Sequence, residues 1–263
     1  MTPIERAVSR RDLLRYAMVA GSTLPAVLSG RPLSAVEIPA GSPTPQPATP
    51  GHYLEAARRA AHWIRSTQVE TPSGLLWVQG PERPEGFSVS YNIYSGGAGV
   101  VLFLLELARI TGEKTYLEEA AAGADSLIAT LPATLDPAQE EAGLYTGAAG
   151  VSFTLDRVAA ATGKAAYHQA AERAAALLRA AAKPEGKGVS WGETNDIISG
   201  AAGIGLFLLY RAREHGDRAA RDLAVQTGSR LIELGIPEAG GRKWQISPTS
   251  EHLMPNFSHG TAG

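Results

Sequence analysis

The chain has 263 residues, of which 44% are hydrophobic and 19% charged, and its formal net charge is −2. That balance describes a soluble globular protein with no electrostatic bias toward nucleic acid or an anionic membrane surface. Cysteine is absent, which excludes a disulfide frame and any thiolate ligand or nucleophile within these residues.

Residues 1–35 read as an export address. Ser9-Arg10-Arg11-Asp12-Leu13-Leu14 resembles the twin-arginine signal, an apolar run covers residues 16–28, and Leu33-Ser34-Ala35 suits a cleavage site. Roughly 20 apolar residues are needed to span a bilayer, and this run is shorter and broken by Gly21 and Pro25, so no stable membrane insertion is expected. The expected destination is the periplasm or the exterior, reached already folded. Residues 36–50 carry Pro39, Pro43, Pro45, Pro47 and Pro50 and read as an extended linker.

The folded domain is expected over residues 51–263. Residues 52–68 have the apolar spacing of an amphipathic helix. A short phrase then recurs four times: Tyr94-Ser95-Gly96-Gly97-Ala98-Gly99, Tyr145-Thr146-Gly147-Ala148-Ala149-Gly150, Ile198-Ser199-Gly200-Ala201-Ala202-Gly203 and Ser258-His259-Gly260-Thr261-Ala262-Gly263. The first glycines, Gly96, Gly147, Gly200 and Gly260, recur at a period of roughly 50 to 60 residues, room for one helical hairpin and a loop per unit.

After the first phrase, residues 100–111 are apolar on nearly every face apart from Glu106 and Arg109, which predicts an inner helix buried on most sides. Gly112, Gly163 and Gly216 follow at one constant offset from Gly99, Gly150 and Gly203, the last glycines of their phrases, and suit left-handed helix ends. Next comes an outer helix with a narrower stripe, Tyr116, Leu117, Ala120, Leu127 and Ile128 in the first unit. Leu127, Leu178 and Leu231 share one register, each equally far past the glycine that ends its inner helix. Alternating buried and half-buried helices pack most simply as two concentric rings, so the expected fold is all-α, an α/α toroid or double-layered barrel of helical hairpins. A linear solenoid is the competitor, but its repeats are usually shorter and seldom carry a long loop before one helix of every pair.

Three of the loops before inner helices carry a tryptophan in an extended stretch: Trp77, Trp191 and Trp244. Plugging the gap between hairpins is the favoured reading for these rings, ahead of stacking on a ligand. Within the phrases, Ser95, Thr146 and Ser199 suit helix N-caps, and the small residues relieve crowding where inner helices converge.

His259 fits that explanation less well, since imidazole caps a helix poorly and the position faces the cavity at the positive end of an inner helix. A histidine there can take or give a proton or bind a metal. The other five, His52, His62, His168, His215 and His252, read as surface residues. Asn92, Gly143, Asp196 and Asn256 each stand four residues before a first glycine, and three of them can form an Asx turn. Asp196 is the charged member. In a curved array Asp196 and His259 sit on adjacent units and can face one another, the carboxylate orienting the imidazole. Glu193 offers a second carboxylate in the same loop, with solvent exposure as its expected state.

At these residues the chain resembles the lanthionine synthetase C-like family. Asp196-Ile197-Ile198-Ser199-Gly200-Ala201-Ala202-Gly203 is similar to its Asp-aliphatic-aliphatic-x-Gly-x-x-Gly motif, and Ser258-His259-Gly260-Thr261-Ala262-Gly263 to its Ala-His-Gly-x-x-Gly motif. The resemblance implies an α/α toroid that adds a thiol across the double bond of a dehydrated serine or threonine, with a peptide or a small thiol and electrophile as substrate. It implies zinc held by two cysteines and a histidine that follow the histidine motif, and acid/base roles for Asp196 and His259. No zinc ligand is assignable here, and a ring of six or seven such hairpins needs about 100 or more further residues. The chain is therefore expected to be part of a longer protein, to leave apolar faces uncovered, and to form no thioether alone. Two rivals follow from the residues: an exported α/α-barrel glycosidase using Glu193, Asp196 and Trp191, and a binding scaffold without catalysis.

Overall fold

The periodic segments form seven α-helices in a computed structural model that describes residues 49–79, 89–136, 141–251 and 253–263. The export address, all but the last two linker residues, and His252 lie outside those residues. Pro50–Gly263 is one compact unit. Helix α1 spans Pro50–Ser66 rather than residues 52–68, so Pro50, expected as linker, is its first residue. Proline loses nothing there, because its missing N–H would have had no partner in the helix. None of the described helices is long and apolar enough to cross a membrane.

Three hairpins follow, each a 15-residue inner helix and a 17-residue outer one. They are α2 (Gly97–Thr111) with α3 (Lys114–Thr130), α4 (Ala148–Thr162) with α5 (Ala165–Ala181), and α6 (Ala201–His215) with α7 (Arg218–Leu234). Gly112, Gly163 and Gly216 end the inner helices at φ of 73°, 70° and 65°, a backbone that glycine adopts without steric cost. Inner helix packs on inner helix, α2 on α4 and α4 on α6, while α3 also touches α4 and α5. The result is an all-α, two-row array of helical hairpins, the architecture of an α/α toroid.

Leu104, Leu107, Leu155, Val158, Leu178 and Phe207 are each at most 3% exposed and form the seam between rows. At roughly 1.5 to 3 kcal/mol per buried side chain, this seam is the main favourable term. Ala120, Ala124, Ala171, Ala174 and Ala175 are buried on the outer helices, and their small size allows the rows to approach. Leu206 and Leu209 on α6, and Val225 and Ile232 on α7, remain exposed.

The tryptophan stretches are second strands of two-stranded antiparallel hairpins: β1 (Gln68–Thr71) with β2 (Gly74–Trp77), β3 (Lys183–Glu185) with β4 (Gly188–Ser190), and β5 (Ile236–Glu238) with β6 (Gly241–Lys243). Trp191 and Trp244 follow their strands, and each indole N–H donates to the carbonyl of the register leucine, Leu178 or Leu231, at 2.7 Å. Trp77 lies against Gly123 of α3 and Val101 of α2, where a Cβ on Gly123 would come within 2.5 Å of the indole. The rings plug gaps, as expected.

The second hairpin is tied to α7, since Ser190 Oγ and Arg230 both donate to the Glu185 carboxylate. Ser190, foremost, and Arg230 hold that carboxyl below its usual range against partial desolvation. A depressed carboxyl stabilises the fold above its unfolded pKa, about 4.3, and the contribution fades as pH falls through the folded value. Glu185→Gln should therefore lower stability at pH 7 by well under 1 kcal/mol, the group being half exposed, and by nothing measurable near pH 3. Urea denaturation of both proteins at the two pH values checks this.

Candidate functional site

The glycines of the repeated phrase are required by a backbone that crosses directly over each inner-helix start. A Cβ on Gly96, Gly147, Gly200 or Gly260 would lie 2.1–2.4 Å from the carbonyl oxygen six residues earlier, that of Ser90, Glu141, Thr194 or Met254. For Gly99, Gly150, Gly203 and Gly263 the same offset gives 1.9–2.3 Å to Ile93, Leu144, Ile197 and Phe257. The crossing chain satisfies helix N–H groups that would otherwise lack partners: Gly97, Ala148 and Ala201 donate to Ser90, Glu141 and Thr194 at 2.8, 2.7 and 3.1 Å.

This corrects the expected caps. Gly96, Gly147 and Gly200 occupy the N-cap positions with no side-chain cap bond, and Ser95, Thr146 and Ser199 stand one residue too early. The carbonyls above fill the role that a hydroxyl would have had. Asx turns do form: Asn92 Oδ1 accepts from Ser95 N at 2.9 Å, and Asn256 Oδ1 from His259 N at 2.8 Å. Asp196 Oδ1 accepts from both Ser199 N and Gly200 N, at 2.8 and 3.1 Å. Gly143 breaks the series because a Cβ there would sit 2.7 Å from the Ser199 Cα.

Neighbouring phrases are stitched together by backbone bonds just ahead of their first glycines. Tyr94 N donates to Tyr145 O and Tyr145 N to Ile198 O, both at 2.9 Å, while Asn195 N donates to Ile246 O, in the loop after β6, at 2.7 Å. His259 Nδ1 stands 2.6 Å from Asp196 Oδ2 although the residues are 63 apart in sequence. The Asp196 side chain is 2% exposed and that of His259 39%. A carboxylate only accepts, so Nδ1 carries the hydrogen and Nε2 is left to exchange a proton with whatever reaches the exposed edge of the ring. The buried Asp196 carboxylate orients the imidazole.

Glu193 is exposed and accepts from Thr249 at 3.2 Å. Trp191 is 4% exposed with its N–H committed to Leu178, which removes it as a platform for a sugar ring. The glycosidase arrangement of Glu193, Asp196 and Trp191 is not assembled.

A second cluster escaped the sequence reading. His168 on α5 and His215 at the end of α6 are exposed, as expected, but both converge on the buried Asp156 of α4, at 3.6 and 2.8 Å. One ligand atom from each residue lies within 4.8 Å of the others, a set compatible with zinc. Tyr210 also donates to Asp156 Oδ2. Burial pushes the Asp156 carboxyl up, but the bonds from Tyr210 and His215 and the Arg211 cation outweigh it and hold it low. The missed signal was register: Thr111, Thr162 and His215 stand at one common offset from Gly96, Gly147 and Gly200, so His259 is not alone in breaking the repeat.

With this geometry in place, comparison with known proteins is informative. The family model described as lanthionine synthetase C-like protein matches residues 88–263. No curated protein matches the chain.

Proposed function

Because the chain belongs to the lanthionine synthetase C-like family, we propose that Asp196 and His259 form the proton-handling pair of a thiol addition to a dehydroamino acid in a peptide. The contact of 2.6 Å between a buried carboxylate and a partly exposed imidazole is the observation that carries this reading. His259 Nε2 takes the thiol proton as sulfur bonds to the β-carbon and the C=C π pair moves toward the carbonyl. The same nitrogen then returns the proton to the α-carbon, so no proton is gained or lost overall. Asp196 holds the ring and offsets the charge it carries between the two transfers.

Asp196 and His259 engage each other, and neither is assigned as a zinc ligand. The family resemblance puts the zinc ligands after the histidine motif, so no step is routed through a metal here. The twin-arginine pattern of residues 9–14 supports action outside the cytoplasm, on a peptide or small thiol met there.

Incubating the whole natural protein with a peptide carrying one dehydroalanine and one cysteine tests the proposal, with free thiol titrated over time. The wild-type protein is expected to consume thiol and His259→Gln to do so about 10²- to 10⁴-fold more slowly. Equal rates would remove His259 from the chemistry.

A further inference from the structure

We propose that Asp156, His168 and His215 form a second site, which binds a divalent transition-metal ion of the zinc type and ties three helices together. It is separate from the Asp196–His259 pair, since His215 ends α6 while Asp196 precedes its start, a helix length of about 20 Å.

The donors come from α4, α5 and α6, and two of them break the repeat at positions where other copies carry ordinary helix residues. In the His215 register, Thr111 and Thr162 bond their own helices, to Leu107 and Val158 at 2.8 Å. His215 instead leaves its helix for Asp156 at 2.8 Å. Asp156 takes the register of Leu105 and Leu209, as far past Gly147 as those two are past Gly96 and Gly200, and puts a buried carboxylate where the other two inner helices carry leucine. A charge is seldom buried without a partner of matching chemistry.

The geometry suits a metal. Tetrahedral ligands bonded at 2.0–2.2 Å stand roughly 3.3 to 3.5 Å apart. Here His168 Nδ1 stands 3.6 Å from Asp156 Oδ1 and His215 Nε2 2.8 Å from Oδ2, and one ligand atom from each residue lies within 4.8 Å of the others, so modest side-chain shifts bring the three to ligand spacing. The Asp156 carboxylate is fixed by Tyr210 and is 8% exposed, whereas His168 and His215 are 49% and 24% exposed, which leaves an entry path and an open position for water. Glu172 Oε1 lies 3.9 Å from His168 Nε2 and accepts from Arg211. Two imidazoles and one carboxylate favour a zinc-type ion over magnesium or calcium, which prefer all-oxygen sets. Around the site Arg211 pairs with both Glu172 and Asp217, and Arg179 with Asp217, which leaves Asp156 as the carboxylate that faces the two imidazoles.

Titrating the 263-residue chain with Co²⁺, then displacing it with Zn²⁺, reads the site through the visible d–d absorption of cobalt. One equivalent is expected to bind with a tetrahedral or five-coordinate spectrum, and saturating Zn²⁺ to raise Tm by about 5 °C. His168→Gln and His215→Gln should each weaken binding at least tenfold, and His259→Gln should leave it unchanged. On the wild-type chain, Zn²⁺ should shift the ring ¹⁵N signals of His168 and His215, a readout that needs no variant to fold. Unmoved ring signals, or binding that survives both substitutions or falls equally with His259→Gln, overturns the proposal. The thiol assay above does not use this site, so either reading can fail alone.

Discussion

Gly203→Ala is expected to destabilise the protein by about 3 kcal/mol or more and to disorganise the candidate site at the same time. The added methyl would sit 2.1 Å from the Ile197 carbonyl oxygen and 2.9 Å from its carbon, backbone atoms that no rotamer change can withdraw. Relief requires the crossing strand to lift, and that strand carries Asp196. It is also held by the Gly203 N–H, which donates to Asp196 O at 3.2 Å, so fold and site share one constraint. Gly228 in α7 provides the control. A Cβ there meets nothing within 4 Å, so Gly228→Ala should stabilise the helix by up to about 1 kcal/mol. Urea denaturation of both variants separates steric crowding from glycine's intrinsic cost.

The repeat made the helices legible from sequence. A constant offset between the phrase and Gly112, Gly163 or Gly216 marked each inner helix, and the left-handed ends confirm it because few other residues adopt that backbone. The pairing of Asp196 with His259 was also legible, since both depart from a pattern whose other members are amides, a glycine or hydroxyls. Two things were not. The phrase glycines looked like helix-start residues, but their requirement comes from a carbonyl six residues earlier, a crossing that no local propensity reveals. The Asp156 cluster draws one residue from each of three helices, and histidines near helix ends are ordinarily solvated, so only comparison of repeat registers could have singled out His215.

Asp196→Asn should slow thiol addition about 10²- to 10⁴-fold while shifting Tm by no more than a few degrees. Asparagine keeps the Oδ1 acceptor for Ser199 N and Gly200 N, and Asn92 and Asn256 make the corresponding turn with that same group. What it cannot keep is a second acceptor facing His259 Nδ1. The amide N–H₂ would meet the ring there and favour the other tautomer, leaving Nε2 protonated and unable to accept from a thiol. Asp196→Ala should add about 1 kcal/mol of destabilisation, because the turn itself is then lost.

Whether the buried carboxylate and the imidazole act as one unit is decided most directly by a double-mutant cycle on the thiol-addition rate of the whole natural protein, comparing Asp196→Asn, His259→Gln and the double variant. The account predicts that the double variant is no slower than the slower single one. Losses that multiply would contradict it, because they would mean that the two side chains contribute separately.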